Sequence, residues 1–415
     1  MTITPHLNRL MSRLAVASAL LAAQPLMAQA QAEETGIPEA SGARPQNSQS
    51  GGLYGEFQGP YQPSDELERS LWLQMNEYER TLKSSKQVIR DEALNDYVRG
   101  VLCRTVGPEC QSIRLYLLRS PQFNATMAPN GVMTVWSGLL LRVQNESQLA
   151  SVLGHEFAHF KRRHSIQLFR KAKNKSNTAA WLAFTGVGLL LSPSIMGSIF
   201  EFSREMEEEA DTDGLKLIVD AGYDAAQVPL IWEQILDESD ATQEARGRKK
   251  KKRKTKAGLF ATHPPSQARV DYLRAAVLEM QQSAGETGER PYRTAMANLW
   301  PQFLDDQLKM NDHGGSRFLI ESMGKTNGWT PWLTYARAEF HRRRGQEGDF
   351  DAAISHYSDA IARGGELPEL WRGRGLALRK AGRKEEAKAD FREYLKRVPD
   401  APDRAMITML AGGIS

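Results

Sequence analysis

The pentad HEFAH at positions 155–159 is the feature that most constrains how this chain can fold. Histidines four residues apart lie on one face of a helix, where both can reach a single cation. Glu156 is turned about 100° away from that face, which leaves it free to act as a base on a metal-bound water. We expect a helix here that begins at Asn145, whose side chain can cap it together with Gln148 three positions on, and that continues through His164.

A second helix is predicted from about Ser203 to Ala221, with Glu207 and Asp211 one turn apart on the same face. A hydrolytic zinc site takes three protein ligands and leaves a fourth position for water. Glu207 would join His155 and His159 as the third ligand of one Zn²⁺ per chain. Asp211 would accept the outer ring proton of a ligating histidine. In the alternative, the acidic side chains form only a solvated face of the helix: Glu205, Glu207, Glu208 and Glu209.

These two motifs, together with a Pro-Asn-Gly turn and a strand before them, make the chain similar to a known family of enzymes. It resembles the HtpX-like and CAAX-prenyl-protease-type gluzincin metallopeptidases over about residues 66–285. The second motif of that family reads Ser-Arg-x-x-Glu-x-Glu-Ala-Asp-x-x-Gly. Its defined positions are matched by Ser203, Arg204, Glu207, Glu209, Ala210, Asp211 and Gly214.

The candidate catalytic residues are Glu156, Asp211 and His263. Zinc would lower the pKa of its water, Glu156 would take the proton, and a peptide carbonyl would be attacked. Family resemblance also allows Asp211 to donate the proton to the leaving amine, although we favour an orienting role. His263 lies in a sequence similar to the Thr-His-Pro loop of the family. It could stabilise the oxyanion, occupy and block the open zinc position, or be a plain surface histidine. His164 is rotated off the ligand face, which predicts a structural role.

The strand Gly131–Trp136 lies just before the metal helix in the sequence. As an exposed edge, it could align an extended substrate through backbone hydrogen bonds. Asn124 and Asn130 either shape that approach or serve as turn residues.

The fold class predicted is α+β. A mostly helical, zincin-type metallopeptidase domain with a small sheet covers 65–290, a helical connector covers 291–329, and all-α tetratricopeptide repeats with a C-terminal cap cover 330–415. A composition of 41% hydrophobic and 25% charged residues is that of globular domains and excludes a wholly disordered chain or a polytopic membrane protein. Short β-like runs at 113–118 and 132–136 supply the sheet.

The repeats are indicated by a period of thirty-four positions, which is the tetratricopeptide period. Stacked helix pairs of this kind expose a concave surface that binds protein segments. The recurring positions are Ala353 and Ala387, Tyr357 and Phe391, Ala360 and Tyr394, and Gly348 and Gly382.

Residues 1–30 predict a cleavable secretory signal, with cutting after Ala28, Ala30 or Ala32. An uncleaved anchor is disfavoured, because about ten apolar residues are too few to span a bilayer. A flexible leader follows over 31–64. Export makes a disulfide between Cys103 and Cys110 possible, and two free buried thiols are the alternative.

Two segments raise the question of membrane contact. Residues 246–256 hold nine basic residues in a chain of net charge +4, so the rest is net acidic. This basic run either contacts an anionic membrane surface or forms a solvated loop without a partner. Nucleic acid is not expected as a partner of an exported protein. The apolar stretch 179–200 favours short helices, buried or apposed to a membrane, over membrane insertion.

An export signal, a metallopeptidase domain and repeats together resemble the periplasmic β-barrel assembly-enhancing (BepA-like) branch of the family. That resemblance implies hydrolysis of misfolded or stalled envelope proteins in outer-membrane protein quality control. The repeats would dock clients or assembly machinery. The alternative is a non-enzymatic, repeat-bearing chaperone or assembly factor with a structural metal. Such a site is closed by four ligands and needs no base beside it, so Glu156 favours the enzyme.

Overall fold

The computed structural model describes residues 61–174, 202–248, 263, 265–280 and 285–413. The predictions for the signal segment, for the leader up to residue 60, for the apolar stretch 179–200 and for 249–256 of the basic run lie outside these residues. No helix within the described ranges is long and apolar enough to cross a membrane.

Helices dominate the described chain and surround a three-stranded sheet, which confirms the prediction of a mostly helical α+β fold with a small sheet. Within the described ranges, the first eight helices are α1 Glu66–Ser84, α2 Glu92–Val106, α3 Ser137–Arg142, α4 Glu146–Lys161, α5 His164–Asn174, α6 Arg204–Asp220, α7 Val228–Ala245 and α8 Gln267–Glu279. The strands are β1 Arg114–Leu118, β2 Ala125–Met127 and β3 Val132–Trp136.

The strand order is β1-β3-β2, with β1 parallel and β2 antiparallel to β3. The prediction that Gly131–Trp136 forms an exposed edge is therefore wrong, because β3 is the central strand and all its residues are buried. The sequence before it folds back as β2 and covers that edge, with Thr126 opposite Thr134. Asn130 is a turn residue, and its side-chain amide donates to Asn76 of α1. The edge strand that contacts α4 is β2.

Both predicted helix starts of the metal motifs are confirmed. The Asn145 side chain accepts from the backbone N–H of Gln148 at 2.9 Å, which caps α4. Ser203 caps α6 by accepting from Met206 at 3.3 Å.

The far end of α4 differs from the prediction that one helix continues through His164. The helix ends at Lys161, and Arg163 takes a left-handed backbone conformation with φ of 58°. A non-glycine residue in that region interrupts a right-handed helix, so α5 begins in a new direction at His164.

The metal helices α4 and α6 approach each other with their backbones in contact. A Cβ added to Gly214 of α6 would lie 3.1 Å from the backbone nitrogen of His155. One added to Gly154 of α4 would lie 3.6 Å from the carbonyl oxygen of Gly214. Glycine at 214 therefore lets the two helices pack more closely than a side chain there permits, whereas a Cβ at Gly154 would make only ordinary van der Waals contacts.

Cys103 and Cys110 form a disulfide, so the alternative of two free thiols does not hold. The bond joins α2 to the 3-10 helix Gly107–Ser112 that follows it. Glu109 in this short helix pairs with Lys161 at 2.6 Å. The cross-linked loop is thereby tied to the last turn of the metal helix α4.

Three further helices pack into the same hydrophobic core as the metal helices. A buried polar cluster joins the second of them to α3 and α7: the guanidinium of Arg142 bonds Glu238 at 2.6 and 2.7 Å and Gln307 at 3.0 Å. Buried charges need such pairing, since losing one partner leaves the other uncompensated. The three helices are α9 Glu289–Met296, α10 Trp300–Lys309 and α11 His313–Asn327.

The remaining helices pack against one another in chain order around a second hydrophobic cluster. They are α12 Pro331–Arg344, α13 Asp349–Ala362, α14 Glu369–Lys380, α15 Lys384–Arg397 and α16 Arg404–Leu410. The apolar positions that recur with the thirty-four-residue period are all buried: Ala353, Tyr357, Ala360, Ala387, Phe391 and Tyr394.

A buried glutamate links α12 to α13. Glu339 is 4% exposed, and Arg342 donates to it at 2.6 and 2.9 Å while the Tyr357 hydroxyl also donates. Burial by itself raises the pKa of Glu339, but the hydrogen bonds and charge of Arg342 outweigh it, and the pKa falls to about 2.

We expect the stability of this region to depend on acid pH. Because the pKa of Glu339 is lower in the folded chain than its ordinary value of 4.5, its contribution is complete above pH 4.5 and is lost as pH falls toward 2. That contribution is about 3 kcal/mol. Denaturant unfolding from pH 5 to 2.5 should show a steeper loss of stability for the natural chain than for Glu339→Gln. Equal slopes would contradict the assignment.

Candidate metal centre

The structure brings His155, His159 and Glu207 together in the interior, at the crossing of α4 and α6. Their exposed fractions are 3%, 2% and 8%. The Nε2 atoms of the two histidines lie 3.1 Å apart. Glu207 carboxylate oxygens lie 3.5 Å from Nε2 of His155 and 3.4 Å from Nε2 of His159.

These separations fit one shared ion. Ligand atoms at 2.0–2.1 Å from a tetrahedral zinc ion lie about 3.3 Å from one another. The three observed separations, 3.1, 3.4 and 3.5 Å, bracket that value. In addition, Oε2 of Glu207 is buried and makes no hydrogen bond. That oxygen has ion-pair contacts with His155 at 3.5 Å and with Arg269 at 3.4 Å but no hydrogen bond, which leaves it able to bind a cation directly. The donor set therefore fits a metal ion.

His263 occupies the fourth corner of this cluster. Its Nδ1 lies 3.1 Å from Nε2 of His155 and 2.7 Å from a Glu207 oxygen, so its ligand atom faces the same point as the others. Its Nε2 lies 3.2 Å from Oε1 of Glu156. With 8% of its surface exposed, it is not a plain surface histidine.

Asp211 lies behind His155. Its Oδ1 is 2.9 Å from Nδ1 of His155, which is the ring nitrogen turned away from the shared centre. Arg269 of α8 donates to both oxygens of Asp211, at 2.6 and 2.8 Å, and the hydroxyl of Tyr272 also donates to it. Every oxygen of the Asp211 carboxylate is thus engaged, which holds the His155 ring in one orientation.

The carboxylates of Asp211 and Glu207 are both held ionised. Burial alone would raise the pKa of Asp211, but the adjacent Arg269 guanidinium outweighs it and keeps that pKa well below its usual range. Burial would likewise raise the pKa of Glu207, but the histidines around it, His263 first, lower it strongly. Ionised carboxylates are the form that binds metals.

Sequence reasoning missed Arg269. Its guanidinium lies 3.6 Å from the ring centroid of Trp232 and 3.4 Å from a Glu207 oxygen, so it balances the charge of two carboxylates inside the protein. The sequence did contain a signal for this residue. Arg269 stands four residues before the buried Leu273 of α8 and therefore lies on the apolar face of that helix. A charge on an apolar face is rare unless it is paired.

A cleft beside the centre is lined in part by the buried Glu156, the second residue of the pentad. The end of β2 forms one wall of it, and Asn124 lies there as predicted, whereas Asn130 does not reach it. The cleft is lined by Phe123, Asn124, Ala125, Val152, His155, Glu156, Trp232 and His263.

Comparison with known proteins agrees with this geometry. Residues 89–277 match the Peptidase family M48. The chain is 25% identical over 239 residues to the beta-barrel assembly-enhancing protease of Escherichia coli strain K12, covering 53% of this chain and 46% of that protein. It is 33% identical over 193 residues to the mitochondrial metalloendopeptidase OMA1 of Schizosaccharomyces pombe, covering 45% of this chain and 53% of that one. The alignments thus span about half the length of these relatives.

We expect the purified chain to bind one zinc ion, and His159→Ala or Glu207→Ala to weaken binding more than the 10- to 100-fold that loss of an outer hydrogen-bond partner costs. Chelator competition measures the affinity. Glu205→Ala, at an exposed position on α6, is the matched control and should bind as the natural chain does. Unchanged affinity in the Glu207 variant would rule out its role as a ligand.

Proposed function

We propose that this chain, whose residues 89–277 match peptidase family M48, is a zinc-dependent endopeptidase that hydrolyses peptide bonds of misfolded or stalled envelope proteins. The observation that carries the proposal is the convergence of His155, His159 and Glu207 on one point, with Glu156 beside it at a cleft. A base beside a metal site is the arrangement of a hydrolase, and the fourth corner, where His263 lies here, is the position that water takes in such an enzyme.

His155, His159 and Glu207 would hold the zinc, which when bound polarises the peptide carbonyl and makes water a stronger acid. Glu156 accepts the proton of the attacking water and later passes it to the leaving amine. Asp211 positions the ring of His155. It is less suited to donate a proton to the amine, because its carboxylate is ionised and already engaged by His155, Arg269 and Tyr272.

We place the substrate alongside β2. This strand is an edge of the sheet and contacts α4. The cleft that contains Glu156 lies at the start of the strand, at Asn124 and Ala125. An extended peptide could add to that edge through backbone hydrogen bonds, which read main chain rather than side chains. Such binding suits an enzyme whose substrates are unfolded segments of many sequences.

The cellular role follows from the sequence signals and the names of the relatives. The export signal at 1–30 supports a periplasmic location, and the relative from Escherichia coli is named for β-barrel assembly. We therefore propose a role in outer-membrane protein quality control. The basic run 246–256 would add peripheral contact with an anionic membrane surface, to which 179–200 could contribute, and we propose no nucleic-acid partner.

Helices α12 to α16 are proposed to be the tetratricopeptide repeats that dock clients or assembly proteins. The buried thirty-four-residue pattern supports this assignment. A cleft of about 170 Å³ between α11 and α12 is a suitable place for a protein segment. It is lined by Arg317, Arg337 and Arg344, by Ile320 and Phe340, and by Glu321 and His341. Arg337 pairs with Glu321 at 3.0 Å and Arg344 with Asp349 at 2.6 Å, so a docked segment with acidic and apolar side chains would share these guanidinium groups with carboxylates of the chain itself.

The decisive experiment replaces the base. Glu156→Gln keeps the size of the side chain but cannot accept a proton, so proteolysis of an unfolded protein should fall by 100-fold or more while zinc content stays at one per chain. Glu208→Gln, which changes a partly exposed glutamate paired with Arg204, is the matched control and should retain activity. Full proteolysis by zinc-loaded Glu156→Gln would refute the proposal and leave the non-enzymatic alternative.

We propose that His263 occupies the fourth ligand position of the metal in the resting enzyme and so blocks it. Its Nδ1 faces the ligand cluster and its Nε2 faces Glu156, so it stands where water and substrate would enter. His263→Ala should therefore raise the rate of proteolysis several-fold, with His313→Ala in α11 as the control. A histidine that stabilised the oxyanion would give the opposite result, a fall in kcat.

A further inference from the structure

Next to the metal ligands lies a histidine that neither motif includes. His164 is fully buried, at 0% exposure, although helical spacing places it off the ligand face. The break at Arg163 turns it back, so that its Nδ1 lies 2.8 Å from Nδ1 of His159. Its Nε2 lies 3.0 Å from a carboxylate oxygen of Glu209 on α6.

The positions of the protons follow from the chemistry of imidazole. If His159 binds a metal through Nε2, its only ring proton is on Nδ1, and that N–H must donate. The Nδ1 of His164 must then accept, which makes His164 a neutral imidazole with its proton on Nε2. That N–H in turn donates to Glu209. The three groups can be satisfied together in only this arrangement.

The two histidine ligands are thus supported in different ways. His155 donates directly to the buried Asp211, whereas His159 reaches its carboxylate, Glu209, through a second imidazole. The side chain of Glu209 is 50% exposed and lies 3.5 Å from the guanidinium of Arg162. An imidazole link lets the protein connect an interior ligand to a carboxylate at the surface without burying another charge.

We propose that His164 is a positioning residue that fixes the tautomer and the ring orientation of His159 through the relay His159–His164–Glu209. The inference rests on the proposed role of His159 as a zinc ligand. Outer partners of this kind raise the affinity for the metal 10- to 100-fold. The ring of Phe202 stacks on His159 at 4.0 Å and limits its rotation, but it offers no acceptor.

Two substitutions separate the hydrogen bond from packing. In His164→Asn, the amide oxygen can take the place of Nδ1 and still accept from His159. In His164→Gln, the amide extends toward Glu209 and the acceptor near His159 is lost. Lys171→Ala, at an exposed position of α5, is the control. The full chain is titrated with zinc in chelator competition, its cobalt form is examined by visible absorption, and kcat and KM are measured separately.

We expect His164→Gln to bind zinc 10- to 100-fold more weakly, with a lower kcat, an unchanged KM and an altered cobalt spectrum. His164→Asn should retain most of the affinity. Equal affinity in the natural chain and His164→Gln, or equal losses in both variants, would overturn the relay. Failure of the natural chain itself to bind zinc would instead refute the proposed function, so the two failures are distinguishable.

Discussion

The close contact of α4 with α6 is the constraint on which the rest of the site depends. Each helix carries two of the polar groups, and neither pair alone forms a centre. Gly154 and Gly214 stand at the contact, where the backbone of His155 lies against α6. A helix brings side chains one turn apart to the same face, so one close crossing sets His155 and His159 against Glu207 and Asp211.

Placing so many ionisable groups in the interior requires charge compensation. Glu207 and Asp211 are two buried carboxylates, and Arg269 contacts both while its other face lies on Trp232. A single arginine can do this because its guanidinium donates in a planar fork. Helix α8 therefore forms one side of the site, next to α4 and α6. The positive charge of a bound metal ion would match the negative charge that remains around His155 and His159.

The motif helices were predictable in detail, because local rules govern them. Asn145 caps α4 as predicted, α6 begins next to Ser203 as predicted, and the four residues on the facing sides of these helices converge. Other features were not predictable, since they depend on contacts distant in sequence. The turn at Asn130 could be predicted from the sequence. It could not be predicted that the preceding segment pairs with β3 and so removes its exposed edge. The helix was expected to continue past Arg163, which a left-handed conformation prevents.

What the amino-acid sequence determined by itself was the chemistry: the types of ligand, their spacing along two helices, the base between the histidines, and the start of each helix. Local backbone geometry suffices for these, because spacing along a helix is regular. Only the tertiary structure decided which groups meet across the chain, placing Arg269 against Asp211, His263 at the fourth corner and His164 behind His159. Those encounters depend on how helices pack and where they break, and neither is encoded in any single segment.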